Sequence, residues 1–524
     1  MKRLSSRGIQ AALSALFVLL LAAHVGGLLH MAPMQRAEAW LYDAWLKRSA
    51  PAGADDRIAI LDIDEASLKS VGRWPWSRDV MTALVERLVD DYGVAALGFD
   101  VVFAEPDTSS GLATLKQLAQ GELAANRDFR TRLDALAPQL DYDARFASAL
   151  AERPVSMGFY FIPQGYGDAR TGKLPSPALP GDAFAPLAPG APPPVGYGAN
   201  LAAFQDAAPA GGFFNMRADD DGTARRMGLV VPFERGHYLS LSVTTLQMAY
   251  GGEPVQAGVE RRSFLGRDYA QPWLDIGGIR LPLDANGEVH VPYRAGAPFP
   301  YFSAADVLAG KVPPAQLEGR IVLLGSTAPG LADLRVTPFS STFPGVEIHA
   351  HLIAGMLDGT VRATPPWADD ARVAAVLALG VLLTVVLLRF GPTVGLAVTL
   401  ALLGLLLAAY AAAWSRFLVV PMAAPMLTVF GLYALNTAWG FFAETRSKRQ
   451  ITRLFGQYVP PELAAEMSQD PAHYTMEGQS REMTVLFSDI RGFTNFSEKL
   501  PPTELAEVLN ANLSGMTPII KQPQ

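Results

Sequence analysis

The chain has 524 residues, half of them hydrophobic and 18% charged, with a net charge of −7 and no cysteine. That length calls for more than one domain, the balance leans toward membrane proteins, and the charge gives no reason to expect nucleic acid as a partner. Disulfides and thiolate metal sites are excluded, so an exterior domain must stand on its core alone.

Residues 1–8 carry Lys2, Arg3 and Arg7 and lead into an apolar run over 9–30, long enough to span a hydrocarbon core of about 30 Å. Ala37-Glu38-Ala39 offers a signal-peptide cleavage site as the alternative. The run exceeds the about 7–15 apolar residues of a signal core, which favours a retained span. Three more spans are expected at 371–390, 393–413 and 417–442, separated only by Arg389-Phe390-Gly391-Pro392 and Trp414-Ser415-Arg416. Such short turns make an antiparallel array in the lipid bilayer. The basic residues at the N-terminus, and Arg446, Lys448, Arg449 and Arg453 after the last span, mark cytoplasmic ends. Both ends share a side only if the number of spans is even, so four spans put residues 31–370 outside an inner, cytoplasmic membrane.

Residues 31–370 have the pattern of an α/β domain. Ile58-Ala59-Ile60-Leu61-Asp62-Ile63-Asp64 is a buried-type strand. Ser77 can cap a helix on which Val80, Leu84 and Leu88 recur, with Gly93 just past its end. Strands follow at 95–103 and 154–161. A helix is expected at 239–250, a short one opened by Ser303 with Asp306 three residues on, a strand at 321–325 and a helix at 347–357. The alternation predicts a largely parallel sheet with helices on its faces. Residues 173–212, dense in Pro, Ala and Gly, are expected to be an irregular insertion.

Asp62, Asp64 and Asp100 lie at strand ends, where α/β sheets gather ligand-binding residues. They could bind a cation or a polar ligand. They could equally cap helices or pair with Arg73 and Arg78, and that structural role is favoured. Asp219-Asp220-Asp221-Gly222 lacks the spacing of a calcium loop and is expected to form a tight turn. His349 and His351 are two apart, which does not put them on one helical face for zinc.

Several phrases of this region resemble the type-two CHASE sensor domain of bacterial receptors. They are Tyr42-Asp43, Asp62-Ile63-Asp64-Glu65, Gly72-Arg73-Trp74-Pro75-Trp76, Phe99-Asp100-Val101-Val102-Phe103, Glu105-Pro106-Asp107 and Asp219-Asp220-Asp221-Gly222 with Arg225-Arg226. Leu323-Leu324-Gly325-Ser326-Thr327-Ala328, Asp333 and Pro344-Gly345-Val346-Glu347-Ile348-His349-Ala350 continue the series. The resemblance implies a domain held between one N-terminal span and three later ones. It implies an unidentified extracytoplasmic ligand, and it adds Asp333 to the candidates Asp62, Asp64 and Asp100.

A linker over 443–480 breaks at Pro460-Pro461 inside Leu454-Phe455-Gly456-Gln457-Tyr458-Val459-Pro460-Pro461-Glu462, a phrase that in similar proteins pairs two protomers. Over 481–524, the apolar run Val485-Leu486-Phe487 reads as a strand that delivers Asp489 at its end. Val485-Leu486-Phe487-Ser488-Asp489-Ile490-Arg491-Gly492-Phe493-Thr494, followed by Phe496-Ser497-Glu498, resembles the opening of the class III adenylate/guanylate cyclase domain. The resemblance implies conversion of ATP to cyclic AMP with two Mg²⁺ or Mn²⁺ ions in a homodimer, or in a heterodimer with a related cyclase. It assigns metal ligation to Asp489 and the Ile490 carbonyl, and phosphate contact to Gly492, Phe493 and Thr494. The family's second metal aspartate, base-selecting residues and transition-state residues have no counterpart up to Gln524. The segment is therefore expected to be a partial α+β cyclase domain, inactive as it stands. A non-enzymatic membrane sensor that dimerises with intact cyclases is the alternative. A kinase receptor is disfavoured because no Gly-rich loop or H-R-D run follows the spans.

Overall fold

The computed structural model describes residues 6–185, 187, 192–455, 482, 485 and 487–521. The chain divides into two units, residues 1–443 and 444–524.

In the first unit, five strands run parallel in the order Tyr301–Ser303, Ile58–Asp62, Ile321–Gly325, Ala96–Phe99 and Val155–Ile162, and Ala210–Phe213 extends the parallel pairing. The register is set by Ile58 opposite Ile321, Ile321 opposite Ala96, and Leu97 opposite Val155. Ile58–Asp62 and Ile321–Gly325 are buried throughout, as expected of strands covered on both faces. Side chains alternate between two cores. Ala59, Leu61, Leu97 and Phe99 join Leu84 and Phe146 from helices Arg78–Glu86 and Tyr142–Leu150. Ile58, Ile60 and Leu323 face Leu246 and Ile348 from helices Leu241–Ala249 and Gly345–Leu357. Gly98 lets the first of these latter helices lie close on the sheet, because a Cβ there would collide with Thr245.

The expected parallel α/β sheet is therefore present, and the differences are local. Helix Arg78–Glu86 begins after Ser77, but the Ser77 hydroxyl donates to Asp79, and Asp107 accepts the Arg78 N–H at 2.6 Å. The Ser303 hydroxyl likewise donates to Asp64 at 3.0 Å rather than capping helix Ala304–Leu308. The expected irregular insertion contains short strands at Leu179–Pro180 and Gly196–Gly198 and helix Ala202–Ala207. Gly196–Gly198 earns its order by pairing antiparallel with Val155–Ile162. A three-stranded antiparallel sheet, Gln256–Phe264, Arg267–Ile276 and Ile279–Pro282, has no counterpart in the sequence expectations.

Among the described residues, three helices are long and apolar enough to cross a membrane: Arg7–Val25, Ala368–Arg389 and Pro392–Trp414. The fourth expected span, 417–442, is helical only from Ala423, in helix Ala423–Phe455, and residues 417–422 form no helix. The apolar run of that helix is interrupted by polar Asn436, which is buried against the first helix: Gln10 Nε2 donates to Asn436 Oδ1 at 2.8 Å, and Asn436 Nδ2 donates to Ser14 Oγ at 3.1 Å.

In the second unit the short helix Phe493–Ser497 and helix Pro502–Lys521 are described. The expected strand into Asp489 is not formed: residues 487–490 adopt no regular element, and Phe487 is 91% exposed. A strand needs a neighbour for its backbone groups, and no strand partner exists among the described residues of this unit. Leu486 and the proline pair of the linker lie outside the described residues.

Candidate functional site

Each acidic candidate of the first unit sits at the carboxyl end of the parallel sheet, yet the four have different roles. Asp62 ends strand Ile58–Asp62 and accepts from the backbone N–H of Thr327 at 2.8 Å and from its hydroxyl. Burial pushes its carboxyl up despite those bonds. Asp64 caps helix Glu65–Val71 through the Ser67 N–H at 2.7 Å and also accepts from Ser303. Burial opposes ionisation of Asp64, but the Ser67 and Ser303 hydrogen bonds prevail and hold its pKa low. These two aspartates tie loops together. Arg78, a possible partner from the sequence, lies instead 3.9 Å from Asp143.

Asp100 and Asp333 come together. Both line a cavity of about 80 Å³ with Ile63, Trp74, Ser326 and Leu331, at the ends of three neighbouring strands. Burial pushes the Asp100 carboxyl well up, Asp333 adds to the effect, and Arg335 partly offsets it. Asp333 is exposed and pairs with Arg335 at 2.9 Å. Gly345 must lack a side chain here, since a Cβ would stand 2.6 Å from the Asp333 carboxylate. The cavity has room for a few waters, not an organic ligand. Among the described residues no three His, Asp or Glu side chains converge as a metal site. His349 and His351 are each 1% exposed on helix Gly345–Leu357, bonded to the Ser242 hydroxyl at 2.8 Å and the Arg294 N–H at 3.2 Å.

A cavity of about 830 Å³ opens at the other edge of the sheet, within the range of small-molecule sites. Phe161, Phe184, Phe213, Val230 and Leu283 form apolar walls, with Arg217, His237, Glu288 and Arg335 at the margin. None of the acidic candidates lies in it. Its residues come from seven separate stretches of chain, so no contiguous motif could have marked it. The alternation of Phe159 and Phe161 along Val155–Ile162 was the one local sign of aromatic packing there. Arg335 joins the two cavities, lining the large one while pairing with Asp333 of the small one.

Helix Ala32–Ser49 connects the sheet domain to the apolar helices. Its Asp43 accepts from Nε and Nη2 along one edge of the guanidinium of buried Arg225, at 2.7 and 2.9 Å, and Arg225 also binds Asp219 and Asp221. The Asp219–Gly222 segment is the expected tight turn, closed by Gly222 N–H to the Asp219 carbonyl at 2.8 Å. Tyr42 packs on Trp414 and Trp45 on Tyr410, with ring centroids 5.7 and 5.2 Å apart. Glu38 accepts from the Met422 and Ala423 N–H groups at 3.1 and 2.9 Å, at the start of helix Ala423–Phe455.

In the second unit Asp489 Oδ1 accepts from the Ile490 N–H at 2.8 Å, and the Ile490 carbonyl accepts from Phe493 at 3.2 Å. Gly492 has φ +77 and opens the helix carrying Phe493 and Thr494. One carboxylate and one carbonyl already engaged in a turn do not make an octahedral Mg²⁺ or Mn²⁺ site. No further carboxylate or imidazole converges there among the described residues.

No curated protein and no solved structure matches the chain significantly. The profile of one domain family, the CHASE2 domain, matches residues 14–387. That span takes in most of the first apolar helix, the whole parallel sheet with both cavities, and nearly all of helix Ala368–Arg389. With well over half of its length so matched, the chain belongs to the CHASE2 domain family, the extracytoplasmic sensor domains of signalling proteins.

Proposed function

We propose that this protein is the sensing part of a membrane-bound class III adenylate cyclase, with four spans in the inner membrane and both termini cytoplasmic. The observation that carries the output is the phrase Val485–Thr494, in which Asp489 matches a metal-binding aspartate of that domain. Support for the fourth span comes from helix Ala423–Phe455, whose Asn436 bonds to Gln10 and Ser14 of the first helix. Polar side chains bonding across helices are a common glue within bilayers. Asp489 and the Ile490 carbonyl would give the first ion two oxygens, and Gly492, Phe493 and Thr494 would meet phosphate. An intact family domain would supply the remaining ligands and, in a homodimer or heterodimer, the transition-state residues. Mg²⁺ or Mn²⁺ would there stabilise negative charge developing at phosphorus as ATP closes to cyclic AMP.

Expression in a cyclase-deficient host tests this reading. The sequence as given should make no detectable cyclic AMP, because one carboxylate cannot hold two metal ions. Joined after Met516 to the rest of a family catalytic domain, it should make cyclic AMP with Mg²⁺ or Mn²⁺, and Asp489→Asn should abolish that activity without affecting membrane insertion. Activity persisting in Asp489→Asn would exclude Asp489 as a ligand. A second reading, a non-enzymatic sensor that pairs with intact cyclases, is favoured by the isolation of Asp489 from other ligands among the described residues. Co-expression with an intact cyclase would then change that enzyme's output.

A further inference from the structure

Glu288 is 7% exposed, lines the large cavity, and has no hydrogen-bond partner for its Oε2 among the described residues. A buried carboxylate oxygen without a donor is costly and points to a missing group. Its neighbouring cations do not meet the need. Arg226 stands 3.5 Å from Oε2 but is bound to Asp219 at 2.7 Å, and Arg217, mostly exposed, approaches Oε1 only to 3.7 Å. Around Glu288, Arg217 and Arg226 face Asp219, Asp284 and Glu288 itself, two positive charges against three negative. Arg335 adds no free charge, being paired with Asp333. Burial pushes the carboxyls of Asp284 and Glu288 up, a cost of ionisation that a bound cation would relieve. The opposite walls are aromatic, with the rings of Phe161 and Phe213 5.9 Å apart, and such faces attract organic cations.

We propose that the 830 Å³ cavity binds a small organic amine, its ammonium donating to Glu288 Oε2 and its apolar body lying against Phe161, Phe184 and Phe213. Glu288 is fixed for this task by its own backbone. Strand Glu288–His290 pairs with Arg226–Gly228, and the Glu288 N–H donates to Asp284 at 2.8 Å. The ligand's role as a signal rests on the sensor reading above. Binding itself is measured on the reconstituted chain with no cyclase output, so the two can fail separately.

The test uses the full chain in lipid nanodiscs, with empty nanodiscs subtracted. Tryptamine and phenethylamine are compared by equilibrium dialysis with their carboxylate counterparts, indole-3-propionate and 3-phenylpropionate. Each amine should bind at least about tenfold more tightly than its counterpart, and Glu288→Gln should remove that advantage. Ala218→Trp, an exposed position at the rim, should weaken amine binding with Glu288 intact, and it decides the matter if Glu288→Gln fails to fold. The proposal is overturned if the carboxylates bind as well as the amines, or if neither amine binds at about 10 mM. Unchanged amine affinity in a folded Glu288→Gln, or in Ala218→Trp, overturns it equally.

Discussion

His349 sits in the middle of helix Gly345–Leu357, 1% exposed, and burial lowers its pKa to about 3. An unfolded imidazole titrates near 6.5, so the folded protein favours the neutral form. The stabilising contribution is complete above about pH 6.5 and is lost as pH falls from there toward 3, by up to about 1.4 kcal/mol per pH unit. Asp284 and Glu288 act in the opposite sense, since their raised pKa values favour the fold at low pH, but they are common to wild type and variant. His349→Gln keeps a partner for Ser242 and cannot titrate. Between about pH 7.5 and 5 its unfolding free energy should fall less than that of the wild type, by about 2 kcal/mol. Parallel curves would mean that the imidazole is solvated. Among the candidate residues, sequence position placed Asp62, Asp64 and Asp100 at strand ends, and the resemblance added Asp333. Position could not separate Asp62 from Asp64, because their roles depend on Thr327 and Ser303, which lie far along the chain. Glu288 was missed for the same reason. Nothing in Gly287-Glu288-Val289 marks a carboxylate that lines a cavity built from six other segments.

Apolar helices show a similar division between what a run of residues states and what only packing reveals. Hydropathy locates Arg7–Val25, Ala368–Arg389 and Pro392–Trp414 directly, while their neighbours are set by small residues. Gly380 lies so close to the first helix that a Cβ there would be 3.3 Å from Val18 Cβ. That is near the about 3.5–4.5 Å of a disulfide, and the chain has no cysteine to confuse the result. The pair Val18→Cys and Gly380→Cys should therefore cross-link on mild oxidation in membranes. A control, Leu19→Cys with Gly380→Cys, should not, because Leu19 is 60% exposed and faces away. Equal cross-linking of both pairs would mean that these helices rotate freely. The parallel strands were legible for the reason hydropathic spans are: each is a continuous apolar run, covered on both faces. The antiparallel strands Gln256–Phe264 and Arg267–Ile276 were not, since Glu260, Arg261, Arg262, Arg267 and Asp268 break any alternation. At Asp489 the apolar run misleads, because a strand forms only where another strand completes it.

Across the whole chain, helix Ala32–Ser49 links the sheet domain to the apolar helices, and on the proposed sensor reading a ligand signal would pass through it. It is held to the domain by Asp43–Arg225, to helix Pro392–Trp414 by Tyr42 and Trp45, and to helix Ala423–Phe455 by Glu38. Arg225 is buried with a planar fork on Asp43, a geometry lysine cannot reproduce. Arg225→Lys should lower the unfolding free energy by about 3 kcal/mol, read by denaturant titration. A loss below about 0.5 kcal/mol would put the strut's anchor elsewhere. Such a strut transmits across the membrane only if the domain and the cyclase-like segment lie on opposite sides. On the four-span reading proposed above, the positive residues Lys2, Arg3 and Arg7 at one end, and Arg446, Lys448, Arg449 and Arg453 at the other, would share the cytoplasmic side. Helix Ala423–Phe455 would then be the fourth span, with Asn436 satisfied by Gln10 and Ser14 of the first helix. Alkaline phosphatase, active only outside the cytoplasm, should be active when inserted after Gly190 and inactive when fused after Gln524. A fluorescent protein that matures only in the cytoplasm should give the reverse. Both positions reporting one compartment would leave an odd number of spans, and helix Ala423–Phe455 would then run along the surface rather than through the bilayer.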